Sequence, residues 1–203
     1  MPRQVDHQER RHRIARAVWR LAARGGLESV TLRQVATEAG VPPRQLQYYF
    51  GTREHLLLGA LEILNADAER RAAERMNELG AEPSPRALVR AVLLELLPLD
   101  DARREAQVVH AAYFVRFLTD PGLAGSARDS PPALEELVAS LLRHGQDLGH
   151  TSDAMNPEAE AAFLVAAAQG LQPPVLLGQC EPARAVELID LQLNRLFPEA
   201  IGG

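Results

Sequence analysis

Residues 31–50 constrain the fold most, because they predict two short helices joined by a tight turn. Thr31 is suited to cap a helix, and Gln34 three residues later completes the capping-box spacing. Apolar residues then recur at helical spacing, which places Val35 and Ala39 on one buried face. Gly40 can adopt the left-handed conformation that ends such a helix. A first helix is therefore predicted between Thr31 and Gly40.

A second helix is predicted after a turn of about three residues. Pro42 and Pro43 suit a first helical turn, where no backbone N–H is required. Leu46 and Phe50 share one side of this helix. The other side carries no carboxylate and presents Arg44, Gln45, Gln47 and Tyr48, with Tyr49 at the edge. These donors and acceptors suit base edges and phosphates in the major groove of DNA; the alternative is a solvated surface helix.

Composition favours a helical protein with one large or two small domains. The chain has 203 residues, of which 46% are hydrophobic and only 4% are aromatic. Alanine and leucine dominate, which favours helices packed on helices over a sheet. No apolar run approaches the roughly 20 residues that cross a bilayer, and the charged N-terminus does not resemble a signal peptide. We therefore expect a cytoplasmic protein without a membrane partner.

Charge is distributed unevenly along the chain. Residues 1–55 contain ten arginines and five acidic residues, whereas residues 56–203 contain twelve arginines and twenty-two acidic residues. A polyanion would therefore attract only the N-terminal part. Arg53 lies in the first turn of the next predicted helix, where it can bind a backbone phosphate together with the free N–H groups of that turn.

Helical patterns cover most of the remaining chain. We expect a mobile arm over residues 1–5, whose Arg3 can reach DNA or which is simply a disordered tail, and then a helix over residues 7–24. A long helix over residues 53–79 is suited to connect two domains. Further helices are predicted over residues 85–97, 102–118, 132–148, 157–171 and 182–197, with a loop between residues 120 and 132. Continuation of the helix at 157 past Pro173-Pro174 to Leu177 is the alternative to an end at Leu171.

One predicted helix carries an aromatic stripe. His110, Tyr113, Phe114 and Phe117 recur at positions i, i+3, i+4 and i+7. Such a stripe is more often core than ligand site, but it is also the best candidate for an apolar pocket in this chain. Together with Phe163, these side chains are the predicted ligand-binding residues.

No sequence motif indicates catalysis or a metal site. A metal site is one interpretation of the spacing of His144, Asp147 and His150. We reject it because positions 144 and 150 lie about 120° apart around a helix and so do not share one face. Gly149 also ends the helix between them. The sequence contains no HExxH pair, glycine-rich phosphate loop or GxSxG elbow. We therefore expect no enzyme activity, no metal and no cofactor.

The last two predicted helices are apolar on more than one face. Residues 161–168 are apolar almost all round. In the final helix, Ile189 and Leu193 share one face, whereas Leu188 and Leu191 lie off it. Each apolar face has to be buried, one in its own domain and one elsewhere. A subunit interface is the simplest explanation.

Over about residues 10–60 the chain resembles the tetracycline-repressor (TetR) family of one-component transcriptional regulators. The resemblance rests on a first helix ending at Gly25-Gly26, the Thr31-Leu-Arg-Gln-Val-Ala segment, the Glu38-Ala-Gly-Val turn, and Leu46, Tyr49-Phe50, Arg53 and Leu56-Leu57. Beyond residue 60 it rests on length and helical pattern alone. Gln47, Tyr49 and Arg53 stand where the family usually has tyrosine, histidine and lysine.

This resemblance implies an all-α fold of about nine helices. Residues 1–52 would form a three-helix DNA-binding domain with a helix-turn-helix, and residues 53–203 a helical ligand-binding and dimerisation domain. It further implies a repressor that binds a palindromic operator as a homodimer through its last two helices. A small, largely apolar effector would shift the fourth helix and release the DNA. The expected DNA contacts are Thr31, Arg33, Arg44, Gln45, Gln47, Tyr48, Tyr49 and Arg53.

Two alternatives remain open at this point. One is a helix-turn-helix regulator without a small-molecule effector, which is controlled by a protein partner or is constitutive. A domain that is filled around Phe114 and Phe117 would favour it. The other is a helical enzyme or interaction module whose helix-turn-helix pattern is incidental, and failure to bind any DNA at low salt would favour that reading.

Overall fold

The computed structural model describes residues 2–120 and 132–198, and for residues 2–6 it describes the backbone alone. Within these residues the chain forms α helices, one 3₁₀ helix and connecting turns, without a strand. The helices are α1 (Pro2–Gly25), the 3₁₀ helix (Leu27–Ser29), α2 (Leu32–Ala39), α3 (Pro43–Phe50), α4 (Arg53–Glu78), α5 (Pro85–Glu95), α6 (Asp101–Thr119), α7 (Ala133–Asp147), α8 (Pro157–Leu176) and α9 (Pro182–Leu196). The predicted all-α fold is confirmed.

The N-terminal helix is longer than predicted. It begins at Pro2, so the expectation of a mobile arm over residues 1–5 is wrong for residues 2–5. Proline is compatible with a first helical turn, and no glycine or proline interrupts the chain between Arg3 and Arg24. The Arg3 side chain and most of the predicted loop between residues 120 and 132 lie outside the described residues.

The described residues divide into two compact units. The first contains residues 2–69 and 108–120, and the second contains residues 70–107 and 132–198. Helices α4 and α6 are each divided between the two units, with residues 53–69 and 108–119 in the first and residues 70–78 and 101–107 in the second. The boundary predicted between residues 52 and 53 stays a prediction.

In the first unit, two buried donors join helices that are distant in sequence. Trp19 of α1 donates its indole N–H to the carbonyl oxygen of Ala60 in α4 at 3.0 Å. Tyr113 of α6 donates its hydroxyl to the carbonyl oxygen of Leu57, also in α4, at 2.7 Å. A buried donor without a partner costs about 1–3 kcal/mol, so these bonds favour one arrangement of α1, α4 and α6.

The second unit has a continuous apolar core contributed mainly by α5, α7, α8 and α9. Its buried members are Val89, Val92, Leu93, Leu97, Val138, Ala139, Leu142, Ala161, Leu164, Val165, Ala168, Val175, Ala185, Ile189, Leu193 and Phe197. Burial of each valine, leucine, isoleucine or phenylalanine side chain in this set contributes roughly 1.5–3 kcal/mol relative to exposure, so the core is a main source of the stability of the unit.

Helix α8 continues past Pro173-Pro174 and ends at Leu176, which decides between the two predicted ends. The two prolines lack the N–H groups that would bond the carbonyls of Gln169 and Gly170. Both of those residues are exposed, so water can hydrate the freed carbonyls. The helix therefore tolerates the prolines on its exposed side.

Candidate nucleic-acid interface

The start of α2 is fixed by the capping box that the sequence predicts. Thr31 Oγ1 accepts a hydrogen bond from the backbone N–H of Gln34 at 3.3 Å, and Gln34 Oε1 accepts one from the N–H of Thr31 at 3.1 Å. Gly40 has a φ of 64° and ends the helix in the left-handed conformation. Backbone conformation at both ends of α2 therefore follows from three residues.

Helix α3 presents a polar face next to a buried apolar one. Leu46 and Phe50 are 0% and 7% exposed and anchor the helix in the first unit. Arg44, Gln47 and Tyr48 are exposed, whereas Gln45 and Tyr49 are half-buried. Because Pro43–Phe50 contains no carboxylate, this face has donors and acceptors for base edges and nothing that repels phosphates. Thr31 and Arg33 at the start of α2 are exposed as well.

The one acidic residue within residues 31–50, Glu38, is held by two arginines of α1. Arg20 Nε donates to Glu38 Oε1 at 2.6 Å, and Arg24 Nη1 lies 3.5 Å from Oε2. The hydrogen bond from Arg20 lowers the pKa of the Glu38 carboxyl, with a further contribution from Arg24. The carboxylate is thus neutralised by neighbours of opposite charge, so the helix-turn-helix has little acidic character of its own.

A histidine that the sequence analysis did not single out lies beside the second helix of the motif. The ring of His7 in α1 is 4.4 Å from the ring of Tyr49 and 6.4 Å from that of Tyr48, in edge-to-face orientations. The two tyrosine rings are 5.3 Å apart. Such contacts typically contribute about 0.5–1.5 kcal/mol beyond area burial. No local sequence signal connects His7 with residues so distant along the chain.

Arg53 has backbone partners in addition to the phosphate that the sequence predicts for it. Its Nε donates to the carbonyl of Val30 at 2.7 Å, and its Nη2 donates to the carbonyl of Leu27 at 2.6 Å. Leu27 is the first residue of the 3₁₀ helix that precedes α2, and Val30 is the residue that caps its end. The phosphate contact itself stays a prediction.

The predicted ligand-binding residues have different environments. Tyr113 is 2% exposed, and burial raises the pKa of its phenol well above the ordinary value. Phe117 is half-buried with its ring 6.1 Å from that of Tyr113, and His110 Nε2 lies 2.9 Å from Oδ1 of Asn65. Phe114 is 63% exposed. These four residues belong to the first unit, whereas Phe163 belongs to the second and is 57% exposed.

Helix α8 carries an exposed apolar stripe. Residues 161–180 include no charged side chain. The exposed members recur at helical spacing and comprise Ala159, Phe163, Ala166, Gly170, Pro173 and Leu177. An apolar stripe of this length on a helix surface is typical of a protein interface.

The described part of the chain offers neither a metal-binding cluster nor a helix that could span a membrane. Residues 2–120 and 132–198 contain no group of three His, Cys, Asp or Glu side chains that could hold a metal ion. Over the same residues, no helix is long and apolar enough to cross a membrane.

Comparison with known proteins identifies related chains for both parts of the sequence. Residues 14–60 match the profile described as bacterial regulatory proteins, tetR family, and residues 85–198 match the C-terminal profile of BetI-type transcriptional repressors. The HTH-type transcriptional regulator PksA of Bacillus subtilis (strain 168) is 33% identical over 110 residues, which are 53% of this chain and 52% of PksA. The match thus spans about half the length of that relative.

Solved structures are similar over nearly the whole chain. A transcriptional regulator from Rhodococcus sp. Rha1 is 30% identical with a TM-score of 0.74, and the match covers 92% of this chain and 95% of the other. A regulator from Saccharomonospora viridis, solved in complex with choline, shares the fold with a TM-score of 0.71 and 24% identity over 93% of this chain and 95% of the other. The chain therefore belongs to the TetR family of DNA-binding transcriptional regulators and is a regulator rather than an enzyme.

Proposed function

We propose that this chain is a ligand-responsive repressor that acts in the cytoplasm on a palindromic operator. The observation that carries this proposal is the exposed polar face of α3, opposite the buried Leu46 and Phe50. A helix of this kind enters the major groove, where side chains read base edges. We assign DNA contact to Thr31, Arg33, Arg44, Gln45, Gln47, Tyr48, Tyr49 and Arg53.

The chemistry of these side chains suggests separate roles. Arg44 is suited to a bidentate contact with guanine, and Gln45 and Gln47 are suited to adenine. Tyr48 and Tyr49 carry hydroxyls that can donate to phosphate oxygens, which fix the register on the duplex without reading sequence.

A homodimer through the last two helices accounts for the exposed stripe of α8. Its members Phe163 and Leu177 are 57% and 72% exposed, and Leu191 of α9 is 51% exposed. A two-fold axis would place the same stripe of a second copy against it and bury both. The DNA-binding head of each copy, predicted over residues 1–52, would then lie one DNA turn or a multiple of it from the other. Two heads at that spacing would read a palindrome.

The proposed effector is small and largely apolar, bound near His110, Tyr113, Phe114 and Phe117 of α6, and the role of Phe163 in the second unit stays a separate prediction. Choline, which the solved relative from Saccharomonospora viridis contains, is a first probe, because aromatic faces bind quaternary ammonium groups. Release of DNA would follow a shift of α4, which runs from the head into the second unit.

A second candidate function is a regulator without a small-molecule effector. The specific observation in its favour is that the Tyr113 hydroxyl and the His110 ring already have partners inside the protein, Leu57 and Asn65. If the aromatic stripe only fills a core, control would come from a protein partner or be absent.

The first experiment is selection of genomic fragments from the source organism by the purified chain at low salt, followed by sequencing of the retained DNA. Recovery of an inverted repeat, especially beside the gene for this chain, supports the proposal. Retention without a common motif, or no retention, contradicts it. The recovered operator then serves to test release by choline and by apolar probes; release by none of them favours the second candidate.

A further inference from the structure

Arg53 contacts the chain at the point where the helix-turn-helix begins. Its two hydrogen bonds, 2.7 Å to the Val30 carbonyl and 2.6 Å to the Leu27 carbonyl, span 23 and 26 residues of sequence. The Leu27 carbonyl also accepts from the N–H of Val30 at 3.1 Å, which closes the 3₁₀ helix. One guanidinium therefore bonds the first and last carbonyls of a single turn.

This turn determines where α2 starts. Val30 immediately precedes Thr31. The N–H of the peptide between them donates the capping-box hydrogen bond to Gln34 Oε1 at 3.1 Å. Leu27 and Val30 are themselves 3% and 0% exposed, so the turn is anchored on its apolar side as well. With the carbonyls held by Arg53, the direction of α2 relative to α4 is fixed.

Arginine suits this task for a chemical reason. Its planar guanidinium presents several donors in a rigid fork, so two acceptors can be held at once in a fixed geometry. Lysine carries the same charge but presents it on one flexible ammonium group. Charge and geometry can therefore be separated experimentally at this position.

We infer that Arg53 is a positioning residue of the DNA-binding head. It acts by holding the turn at Leu27–Val30, so that α2 and the α3 face that follows it meet DNA in the correct orientation. The inference rests on the proposed function and deepens it. It differs from the phosphate contact predicted from the sequence, because a phosphate contact depends on charge and this role depends on the fork of donors.

The test compares Arg53→Lys, Arg53→Ala and Arg53→Gln with the wild-type chain. Dissociation constants are measured for the recovered operator and for a random duplex of the same length, over a series of salt concentrations. Thermal unfolding of each variant fixes a temperature at which all are fully folded; a variant that does not fold is left out, and Arg53→Lys carries the test. Arg16→Lys and Arg16→Ala, at an exposed arginine of α1 outside the assigned DNA contacts, are the matched controls for replacement of a guanidinium by an ammonium group and for loss of its charge.

We expect Arg53→Lys to weaken operator binding about tenfold, since the loss of a hydrogen bond to a charged group has an effect of that size. Binding to the random duplex, which depends on phosphates and net charge, should change by less than about twofold. The preference for the operator, expressed as the dissociation constant for the random duplex divided by that for the operator, should therefore fall. A loss of stability alone would not lower this ratio in fully folded protein.

Two results would overturn the inference. The first is an Arg53→Lys protein that binds both DNAs as the wild type does, together with an Arg53→Ala protein that loses the same affinity for the operator and for the random duplex. The salt dependence of Arg53→Ala would then be smaller by about one phosphate contact per DNA-binding domain. The second is wild-type behaviour of all three variants. A wild-type chain without operator preference contradicts the proposed function and with it this inference, so the wild-type measurement separates the two failures.

Discussion

Arg116 in α6 and Glu28 in the 3₁₀ helix before α2 form an ion pair across 88 residues of sequence, with Nη1 and Oε1 2.5 Å apart. The Arg116 Nη2 donates to Asp120 at 2.5 Å as well. The turn at residues 27–30, which precedes the helix-turn-helix, is thus bonded by two helices, by α4 through Arg53 and by α6 through Arg116.

The two ends of this ion pair should differ in their effect on stability. Glu28 is 73% exposed, whereas Arg116 is 22% exposed and bonds two carboxylates. An exposed pair contributes roughly 0.2–1 kcal/mol, so Glu28→Gln should lower the free energy of unfolding by about 0.5 kcal/mol and Arg116→Ala by about 1 kcal/mol. Urea unfolding measures both, with the exposed Arg143→Ala as control. Equal losses for the two variants would contradict the double role of Arg116.

Arg44 offers a direct test of base readout. Its exposed position on α3 leads us to expect that Arg44→Ala loses roughly 1–3 kcal/mol of operator binding and relaxes specificity at one base position. Binding to a set of operators with single base changes would show the position. The same loss on operator and random DNA would argue against base readout. Arg143→Ala, which removes an arginine outside the head, should bind as the wild type does.

The parts of this interface that the sequence predicted are those that depend on near neighbours. Thr31, Gln34 and Gly40 act within one helix and its caps, so their spacing was sufficient. The bonds of Arg53 to Leu27 and Val30, and the contact of His7 with Tyr49, join residues that only the tertiary fold brings together.

The aromatic stripe of α6 shows the limit of periodicity even within one helix. Tyr113 and Phe114 are neighbours in sequence and about 100° apart around the helix. The packed face runs through Tyr113 and the half-buried Phe117, which leaves Phe114 exposed. Which part of a wide stripe becomes core depends on the position of α4, and the sequence of α6 does not contain that information.

Gly59 in α4 should resist substitution because Phe50 approaches it closely. A Cβ atom at Gly59 would lie 2.9 Å from Cε1 of Phe50, the last residue of α3. Overpacking typically costs about 1–3 kcal/mol, and alanine recovers up to about 1 kcal/mol in helix propensity. We expect Gly59→Ala to lower the free energy of unfolding by about 1 kcal/mol in denaturant. In a Phe50→Leu background the loss should shrink; an unchanged loss would exclude this contact as its cause.

The α8 stripe should govern assembly. Ala166 lies in the middle of the stripe and is exposed. If a second copy covers it, Ala166→Glu buries an unpaired charge and should weaken the dimer at least about tenfold. Sedimentation equilibrium measures the association, and operator binding should weaken in parallel. Leu148→Glu, at a leucine that is 50% exposed beyond the end of α7, is the control. Dimers of unchanged strength in Ala166→Glu would place the interface elsewhere.

The pair of Arg90 in α5 and Asp190 in α9 should give the second unit a measurable dependence on pH. Arg90 donates from Nε at 2.6 Å and from Nη2 at 3.0 Å to the two carboxylate oxygens. These hydrogen bonds lower the pKa of Asp190 below its ordinary value of 3.8, while partial burial opposes the shift. Because the folded pKa is the lower one, the stabilisation is present above pH 3.8 and is lost as the pH falls through the folded value.

Asp190→Asn should therefore destabilise the chain at neutral pH by about 1 kcal/mol, since the pair is partly exposed. The difference from wild type should decrease once the pH drops below 3.8 and vanish when the wild-type carboxyl is protonated. Urea unfolding of both proteins at neutral pH and at a series of acidic values measures this, with Glu187→Gln, at an exposed pair with Arg184, as the control. The amide of asparagine is similar in size to the carboxyl group and cannot carry its charge. A loss of stability that is the same at all of these pH values would therefore show that the effect of Asp190→Asn comes from packing and not from the ion pair.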